Sequence, residues 1–499
     1  MKHHSRTVFA ATMLAVTFSP LAVAQRTAGP YKDSRQTPDT AAARRALEVL
    51  DVINANDPQR TRAYVTNNFA PSFRDALPMD EHVATFASVY QTSHGFKRYG
   101  FRHYDTPRPD TEAVLIIRNE LTDGWNAIVV EVDATAPHAI RGVQFAPARP
   151  PSDLTPEGRI NETTLVAELR AFLDRVTAAE AFSGSVLLAK NGKVLFQGAY
   201  GVASRRFDVP NRIDTKFNLG SMNKMFTAVA IAQLVERGKL SFSDPISTFL
   251  STDWLPREIT EKITVEHLLT HTSGLGSYFS PAFMEASRTR FRTINDYKPL
   301  VNGETLSFDP GTQWAYSNTG FLLLGAIVES VTGGSYFDYV RKNVYVPVAM
   351  INTDAYAMDQ PIPNLAIGYS KETTPVGNSY WTNNIFKHVV SGGPAGGGFS
   401  TVEDLFRFDQ AMRSGKLVNK KTADLLWSVK PNSPDYGYGF GLRGAPGARI
   451  VGHNGGFPGI SASLSMHLDT GFTVAVLSNY DEGAPIVLQK IEALLARLQ

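Results

Sequence analysis

The feature that most constrains the fold of this sequence is an apolar segment that directly follows a serine and a lysine. Residues 217–224 read Phe-Asn-Leu-Gly-Ser-Met-Asn-Lys, and 225–235 are almost entirely apolar. Apolar side chains recur at helical spacing on nearly every face of 225–235, which is the pattern of a buried helix. Gly238 supplies the glycine at which such a helix ends. We therefore expect Ser221 in the first turn of a core helix.

Ser221 and Lys224 have the spacing of a nucleophile and its base. In the first turn of a helix, unpaired backbone N–H groups and the positive end of the dipole favour a developing negative charge. Lys224 follows three residues later, on the same face and about 5–6 Å away at Cβ. Burial shifts a lysine towards its neutral form, which can accept the serine proton. The same spacing occurs by chance in structural helices, so the pair alone leaves a structural role open.

The N-terminus has the composition of a secretory signal. Residues 1–24 begin with basic side chains, continue with an apolar stretch and end in Ala22-Val23-Ala24, a pattern typical of a cleaved signal peptide. The apolar stretch is too short for a permanent membrane anchor. We therefore expect an exported protein, periplasmic or secreted, with no stable membrane anchor.

Charge and cysteine content argue against several classes of function. The chain has 49 basic and 47 acidic residues, and loss of Lys2 and Arg6 with the signal would leave 47 of each. This balance argues against a nucleic-acid partner. The absence of cysteine excludes disulfides, thiolate nucleophiles and thiolate metal ligands. The oligomeric state is left open by the sequence.

A length of 499 residues predicts two or three domains, the first a small α+β unit over 39–146. Residues 25–38 are polar and are expected to form an exposed leader. Helices are predicted to begin near Asp39, Pro58 and Pro78. Strands rich in β-branched and aromatic residues are predicted at 96–104, 112–118, 125–132 and 138–145. The pattern resembles domains of the nuclear-transport-factor-like type and favours an accessory or dimerisation module over a second pocket.

Closely spaced prolines predict a linker over 147–160, and a second domain follows over 161–499. Its predicted elements are a helix over 162–178, a hairpin turning at Asn191-Gly192, strands at 449–451, 460–468 and 472–478, and a closing helix over 485–498. Strands at both ends predict an α+β fold in which helices flank one antiparallel sheet. The region of about 216–440 would be a helical insertion, with a substrate cleft between it and the sheet.

A tyrosine and an asparagine near the middle of this domain could join the serine and lysine. Tyr316-Ser317-Asn318 stands just before an apolar helix, so packing behind it would hold both side chains in place. The Tyr316 phenol could relay a proton if Lys224 lowered its pKa. The Asn318 amide offers a donor and an acceptor to an amide in a substrate. Alone, this short motif more often marks a turn.

A glycine-rich stretch near the C-terminus could supply the remaining groups. Residues 452–456 read Gly-His-Asn-Gly-Gly at the edge of a predicted strand, where glycines let another backbone approach closely. Such an edge can align an extended acyl chain through main-chain hydrogen bonds, which makes His453 and Gly455 candidate substrate ligands. The backbone N–H groups of Gly456 and Ser221 could form an oxyanion hole.

In this order and spacing, the three stretches resemble the penicillin-recognising serine hydrolases: class C β-lactamases, DD-peptidases, D-aminopeptidases and related esterases. The resemblance covers about 180–499 and includes 267–275 and 392–401. It implies a β-lactamase-like fold without a metal or cofactor. It also implies roles for five residues: nucleophile Ser221, proton acceptor Lys224, general acid/base Tyr316, substrate-amide ligand Asn318, and His453 at the first position of the third motif.

His453 bears on the choice among these activities. β-Lactamases usually have lysine at that position, whereas histidine resembles the peptidase branch and tryptophan is frequent among the esterases. We therefore predict an exported serine hydrolase that cleaves amide bonds of peptides containing D-residues through an acyl-enzyme on Ser221. The alternatives are an esterase of the same fold, a weak β-lactamase, and a sensor that penicillin acylates without turnover.

Three further stretches are interpreted as structural or as cleft walls. His267 and His271 have the spacing of zinc ligands on a predicted helix, but the glutamate of His-Glu-x-x-His is missing, which favours structural hydrogen bonding. The glycine cluster 392–398 lacks the lysine of a phosphate loop and is interpreted as a flexible wall of the active site. Residues 276–297 are the candidate wall that sets substrate preference.

Overall fold

The computed structural model describes residues 30–154, 158–374 and 379–499. The chain divides into two compact units, one made of 1–157 and 372–380 and the other of 158–371 and 381–499. The predicted signal peptide, 1–24, lies outside the described residues, as does Pro156 of the predicted linker.

The first unit contains a five-stranded antiparallel sheet in the order β1-β2-β3-β4-β5. Its strands are β1 Tyr31–Ser34, β2 Phe96–Tyr104, β3 Glu112–Asn119, β4 Trp125–Val132 and β5 Ile140–Pro147. The four predicted strands are therefore present, but the predicted leader is wrong in part. Tyr31 pairs with Tyr104 as β1 joins the edge of the sheet, so the sheet begins within 25–38.

Helices cover one face of this sheet: Ala41–Ala55, Pro58–Asn68, Pro71–Arg74 and Met79–Ser93. The first begins where the Thr40 hydroxyl accepts from the Ala43 N–H (3.2 Å), and the second begins at a proline that follows a capping aspartate, Asp57. Buried residues of the first helix and of the strands form one apolar cluster that includes Val49, Leu115 and Ile128. The unit is the small α+β domain that the sequence predicts; its likeness to nuclear-transport-factor-like domains stays a prediction.

The start of the predicted linker is held against this sheet. The Pro150 carbonyl accepts from the Tyr31 hydroxyl (2.9 Å), and the Ser152 N–H donates to the Asp33 carboxylate (2.9 Å). Asp33 also pairs with Arg102 at 2.9 Å, with both side chains buried. Residues 150–152 thus belong structurally to the first unit.

A six-stranded antiparallel sheet organises the second unit, in the order β14-β15-β16-β17-β6-β7. These strands are β6 Gly184–Lys190, β7 Lys193–Tyr200, β14 Gly441–Arg443, β15 Ile450–Phe457, β16 Ile460–His467 and β17 Phe472–Ser478. Val474 pairs with Leu188 where β17 meets β6. The sheet is therefore completed by strands from both ends of the domain, as predicted. The Asn191-Gly192 turn has both residues at positive φ, 49° and 78°, as a two-residue hairpin requires.

The remaining strands of the described region after residue 158 are short: β8 Val202–Ser204, β9 Val209–Pro210, β10 Phe217–Asn218, β11 Tyr369–Thr373, β12 Ser379–Asn383 and β13 Phe399–Ser400. Its α-helices are Glu162–Ala178, Asn223–Glu236, Arg257–Thr260, Val265–Leu269, Pro281–Glu285, Lys298–Val301, Asn318–Thr332, Tyr336–Val340, Val402–Arg413, Lys420–Leu426 and Gly483–Arg497. Most of them lie between β7 and β14, where the sequence predicts the helical insertion. In Asn223–Glu236, every residue from 223 to 234 is buried, which fits the prediction of a core helix.

Among the described residues, no single helix is both long and apolar enough to cross a membrane. The adjacent segments Asn318–Thr332 and Tyr336–Val348 meet that criterion of length and composition only when taken together, and the chain bends by 82° between them.

Candidate active site

Ser221 lies in a short 3-10 turn, Gly220–Met222, directly before the buried helix Asn223–Glu236. The turn is fixed from behind because the Gly220 N–H donates to the Asn218 side-chain oxygen at 2.9 Å. Gly220 itself has a φ of 51°, a conformation that glycine adopts readily. Ser221 is thus half-buried at the start of the helix, one turn earlier than the sequence predicts.

Lys224 is completely buried and surrounded by three oxygen atoms. Its Nζ lies 3.2 Å from the Ser221 Oγ and 2.8 Å from the Asn318 Oδ1, and it also contacts the Ala395 carbonyl oxygen. Burial lowers the pKa of Lys224 well below its usual value. A neutral amine has two N–H donors and one lone pair, and the Asn318 and Ala395 oxygens can only accept. The lone pair is therefore left for the Ser221 hydroxyl, as proton transfer from serine to lysine requires.

Tyr316 stands beside this pair at the cleft. The Lys224 Nζ lies 4.7 Å from the centre of its ring, and 38% of the Tyr316 surface is exposed. Burial of the phenol raises the pKa of Tyr316 to about 12, although a hydrogen bond with Ser221 lowers it. The condition under which Tyr316 was predicted to relay a proton, a pKa lowered by Lys224, is not met, because burial raises that pKa. Tyr316 is therefore a protonated phenol at neutral pH and can donate a proton.

His271 holds the Tyr316 segment in place. Its Nδ1 accepts from the Ser317 N–H at 3.0 Å, and its ring lies 4.3 Å from that of Tyr316 between centroids. The Ser317 hydroxyl in turn accepts from the Gly320 N–H at 2.9 Å and caps the helix Asn318–Thr332. His271 is fully buried, and its hydrogen bond with Ser317 confirms the predicted structural role. Its packing against Tyr316 was not predicted, because the two residues are 45 positions apart in the chain.

The two histidines do not share a helix. His267 lies in Val265–Leu269, where its Nδ1 accepts from the Thr264 N–H at 3.2 Å. His271 follows that helix at a φ of 61°. The described residues contain no group of three or more potential metal ligands.

The glycine cluster 392–398 packs against the serine turn and lines the cleft with Gly396 and Gly397. The Gly397 N–H donates to the Gly220 carbonyl at 3.0 Å, and the Leu219 N–H donates to the Gly398 carbonyl at 3.0 Å. A Cβ on Gly392 would lie 1.9 Å from the Gly398 nitrogen, so no side chain fits there. The predicted wall therefore lies beside Ser221. The contact between its Ala395 carbonyl and Lys224 could not be predicted from residue types, because a backbone acceptor is independent of residue type.

Strand β15 brings the third predicted stretch against the serine turn. A Cβ on Gly455 would lie 1.8 Å from the Leu219 carbonyl oxygen, and a Cβ on Gly220 would lie 2.9 Å from the Gly456 nitrogen. Gly456 and Ser221 both line the same cleft. The two backbone N–H groups predicted to form the oxyanion hole thus belong to neighbouring walls of one site.

This close approach predicts a difference between two adjacent alanine substitutions. Gly455→Ala must push β15 away from the serine turn, and we expect it to reduce the free energy of unfolding by about 1–3 kcal/mol. In Gly456→Ala the nearest atom to the new Cβ would be the Ile460 oxygen at 4.0 Å, so we expect a change within about 0.5 kcal/mol. Urea unfolding of both variants measures the difference. Equal stability of the two variants would contradict the packing described here.

The His453 side chain makes two hydrogen bonds within the protein. Its Nδ1 lies 2.6 Å from the Asn454 carbonyl oxygen and its Nε2 lies 2.8 Å from the Tyr436 hydroxyl. Because a carbonyl only accepts, Nδ1 carries the proton and Nε2 accepts from Tyr436. Burial lowers the pKa of His453 to about 3. The imidazole is therefore neutral with both nitrogens engaged, and the role of His453 as a substrate ligand at the strand edge stays a prediction.

The cleft in front of Ser221 spans about 480 Å³, including space that is open to solvent. Asn318 lines it, and so do six residues to which the sequence analysis gave no individual role: Tyr278, Phe279, Phe283, Lys387, His388 and Phe457. The first three belong to the candidate wall 276–297. Lys387 and His388 were missed because their segment carries no motif. Phe457 was missed because it lies just past the third predicted stretch, on strand β15.

His388 lines the cleft in its neutral form. Its Nδ1 lies 2.6 Å from the Val389 carbonyl oxygen and must donate to it, so its Nε2 accepts from the Asn218 side-chain amide at 2.9 Å. Burial lowers the pKa of His388 to about 4. Asn218 therefore connects this wall to the serine turn, since its side-chain oxygen accepts from Gly220.

Buried neutral histidines predict a loss of stability in weak acid. Burial lowers the pKa of His388 and of His467 to about 4 and that of His453 to about 3, whereas an unfolded histidine has a pKa of about 6.5. Between these values the unfolded chain binds more protons, so stability is complete above about pH 6.5 and falls as the pH falls. Each histidine contributes up to about 1.4 kcal/mol per pH unit.

His467→Gln tests this sign at a distance from Ser221. We expect the free energy of unfolding to fall less in the variant than in the wild type between pH 7 and pH 5, as measured by urea unfolding. The reason is that the unfolded variant has no histidine at position 467 to bind a proton. His103→Gln, at an exposed position, is the control and should keep the wild-type slope. A steeper or unchanged slope in His467→Gln would contradict the prediction.

Comparison with known proteins matches residues 169–498 to the family model described as Beta-lactamase. Penicillin-binding protein 4* of Bacillus subtilis is 32% identical over 328 residues, which are 63% of this chain and 72% of that protein. A solved penicillin binding protein from Bacillus halodurans aligns with a TM-score of 0.59 and 32% identity over 67% of this chain and 99% of its own. A D-stereospecific amidohydrolase from Streptomyces sp. aligns with a TM-score of 0.54 and 26% identity over 67% of this chain and 98% of its own.

Proposed function

The chain belongs to the beta-lactamase family, and from the geometry of its cleft we propose that it hydrolyses amide bonds through an acyl-enzyme on Ser221. The observation that carries this proposal is the fully buried Lys224, whose Nζ lies 3.2 Å from the Ser221 Oγ while its two N–H groups have carbonyl acceptors. A lysine held in this way is a base poised beside one hydroxyl.

The first half of the reaction forms the ester and releases the amine. The Ser221 Oγ attacks the carbonyl carbon of the substrate and its proton passes to the Lys224 Nζ. The negative oxygen that forms is stabilised by the N–H groups of Ser221 and Gly456. Tyr316 donates its phenolic proton to the leaving nitrogen and regains a proton from Lys224, so that the amine departs neutral and the acyl-enzyme remains.

The second half hydrolyses that ester. A water molecule gives one proton to the Tyr316–Lys224 pair and its oxygen attacks the acyl carbon. The C–O bond to Ser221 then breaks, and the serine oxygen takes the proton back. The net reaction adds one water across the amide bond. Neither half needs an oxidant, and the three side chains end in their starting protonation states.

We propose peptides or amides that contain D-residues as the substrates. The support is the similarity to a D-stereospecific amidohydrolase and to penicillin-binding proteins, together with histidine at position 453. Histidine in place of the lysine that is usual in β-lactamases ranks β-lactamase activity below amide hydrolysis. We also propose export from the cell, on the signal-like composition of residues 1–24.

Two alternatives share the fold and the nucleophile. An esterase would use the same steps with an alcohol as leaving group, and the largely apolar lining of the cleft is compatible with short acyl esters. A sensor would stop at the acyl-enzyme formed with penicillin.

Parallel assays separate these functions. Purified mature protein is given a D-alanyl-D-alanine peptide, its L-isomer, p-nitrophenyl acetate and a chromogenic cephalosporin. The proposal expects hydrolysis of the D-peptide with little cleavage of the L-isomer. Cleavage of the acetate alone would favour the esterase, and consumption of the cephalosporin alone would favour the β-lactamase. Either of these two results would overturn the proposed substrate class.

A further inference from the structure

One wall of the cleft beside Ser221 is aromatic. Phe279 and Phe457 lie nearly parallel, with ring centroids 5.9 Å apart and planes at 27°. Phe283 lies 5.0 Å from Phe279, and Tyr278 lies 5.8 Å from Phe283. Phe279 keeps 37% of its surface exposed, although Phe283 is only 1% exposed. A ring left exposed at the mouth of a cleft gains apolar contact when a ligand enters.

This aromatic wall is supported by further buried rings. Phe291 lies 5.0 Å from Phe283 and 4.8 Å from Tyr297, and Tyr297 lies 5.0 Å from Tyr278. Phe291 and Tyr297 are both buried. Close packing behind the wall fixes the rings before any ligand binds, so the apolar surface is preformed rather than assembled by the substrate.

The charges around the cleft do not suit an ammonium group. Among the described residues that line it, Lys387 carries a charge and none is an aspartate or glutamate. His388 is neutral because its pKa lies at about 4. Glu304 is nearby, but its carboxylate accepts from the Gly276 N–H at 3.1 Å and from the Thr319 hydroxyl, and it does not line the cleft. An ammonium bound here would lack a partner of opposite charge, which is unfavourable.

We propose that the cleft selects acyl donors in which the residue at the scissile carbonyl has a bulky apolar or aromatic side chain and an acylated nitrogen. This inference rests on the proposed amide hydrolysis at Ser221. The side chain would pack on Phe279 and Phe457. The amide of the acylated nitrogen would meet the Asn318 side chain, which can donate and accept. The enzyme would then cleave blocked or internal peptide bonds and discriminate against a free N-terminus.

Four p-nitroanilides test both parts of this proposal: those of D-phenylalanine and D-alanine, each with a free amine and with an N-acetyl group. The L-isomers are run in parallel so that the result does not depend on chirality. We expect kcat/KM for N-acetylphenylalanine to exceed that for N-acetylalanine by about tenfold or more. We also expect kcat/KM for the acetylated phenylalanine anilide to exceed kcat/KM for the free-amine anilide, and this ratio should be largest at pH 6. The ratio of the two kcat/KM values should fall as the pH rises past about 8, because the substrate amine becomes neutral there.

Two variants with matched controls assign the preferences to residues. Phe279→Ala should shrink the phenylalanine-to-alanine ratio severalfold, and Phe207→Ala, at a position 68% exposed and outside the cleft, should leave it unchanged. Lys387→Glu should raise the relative rate for the free amine severalfold by placing a carboxylate at the cleft. Lys416→Glu makes the same charge change at an exposed residue away from the lining and should leave that ratio unchanged.

The outcomes separate this proposal from the proposed function. Hydrolysis of the anilides with no preference for phenylalanine or for the acetyl group would overturn the specificity and leave amide hydrolysis intact. A preference unaltered by both cleft variants would also overturn it. No cleavage of any anilide of either chirality would overturn the amide hydrolase and, with it, this inference.

Discussion

Ser221→Ala is expected to abolish hydrolysis of every substrate that the wild-type protein cleaves, with kcat reduced by at least about 10⁴-fold. The substitution removes the one oxygen that lies 3.2 Å from the Lys224 Nζ, and loss of the nucleophile in a catalytic unit removes nearly all of the rate that the unit provides. Ser221 is only half-buried, so the free energy of unfolding should change by no more than about 0.5 kcal/mol.

The rate loss must be separated from unfolding and from contaminating activity. Ser243→Ala removes a hydroxyl from an exposed turn and should retain wild-type activity through the same purification. Initial rates, with urea unfolding of both variants, give the comparison. Hydrolysis by Ser221→Ala within tenfold of the wild type would contradict the assignment of the nucleophile.

Lys224→Met is expected to remove most of the activity while keeping or increasing stability. Methionine fills a similar volume without an amine, so general-base assistance of about 10²–10⁴-fold is lost. In the unfolded chain at pH 7 a lysine is protonated, whereas burial lowers the pKa of Lys224 well below its usual value. Folding must therefore release that proton at a cost in free energy, which methionine avoids.

A loss of activity without a loss of stability in Lys224→Met distinguishes a catalytic lysine from a structural one. A structural lysine would lose stability when replaced, and activity would fall with it. The double variant Ser221→Ala/Lys224→Met should be no less active than Ser221→Ala, because the two residues act as a unit. A Lys224→Met protein that still forms a rapid burst of product would contradict the role of proton acceptor.

The main architecture could be predicted from the sequence because local pattern and burial agree. The helix Asn223–Glu236 is apolar on nearly every face and is buried on nearly every face. The strands at the two ends of the second domain alternate with clear turns, such as Asn191-Gly192, and they pair in one sheet. Such consistency between local and long-range structure is typical of natural sequences.

Other features depend on contacts that leave no local pattern. Strand β1 is four residues long and is stabilised by pairing with β2, so its composition alone suggested an exposed leader. His453 is hydrogen-bonded to the Tyr436 hydroxyl and to the Asn454 carbonyl, and these partners decide which of its nitrogens carries the proton. They could not be inferred from the position of His453 in its motif. The Ala395 carbonyl beside Lys224 is backbone and is independent of residue type.

The aromatic wall of the cleft also could not be predicted from local sequence patterns. Phe279 and Phe457 are separated by 178 positions in the chain, yet their rings stack beside Ser221. In the sequence, each phenylalanine considered alone is indistinguishable from an ordinary core residue. The proposed substrate preference could therefore be argued only from the folded arrangement, whereas the proposed nucleophile was predicted from the sequence.

The most direct test of the acyl-enzyme is the mass of the protein during turnover. Mature protein is mixed with p-nitrophenyl acetate or benzylpenicillin, quenched in acid within the first turnover, and analysed intact and after proteolysis. We expect an added acyl group on the peptide that contains Ser221 and none in Ser221→Ala. An acyl group mapped to another residue, or present at the same level in Ser221→Ala, would contradict this expectation.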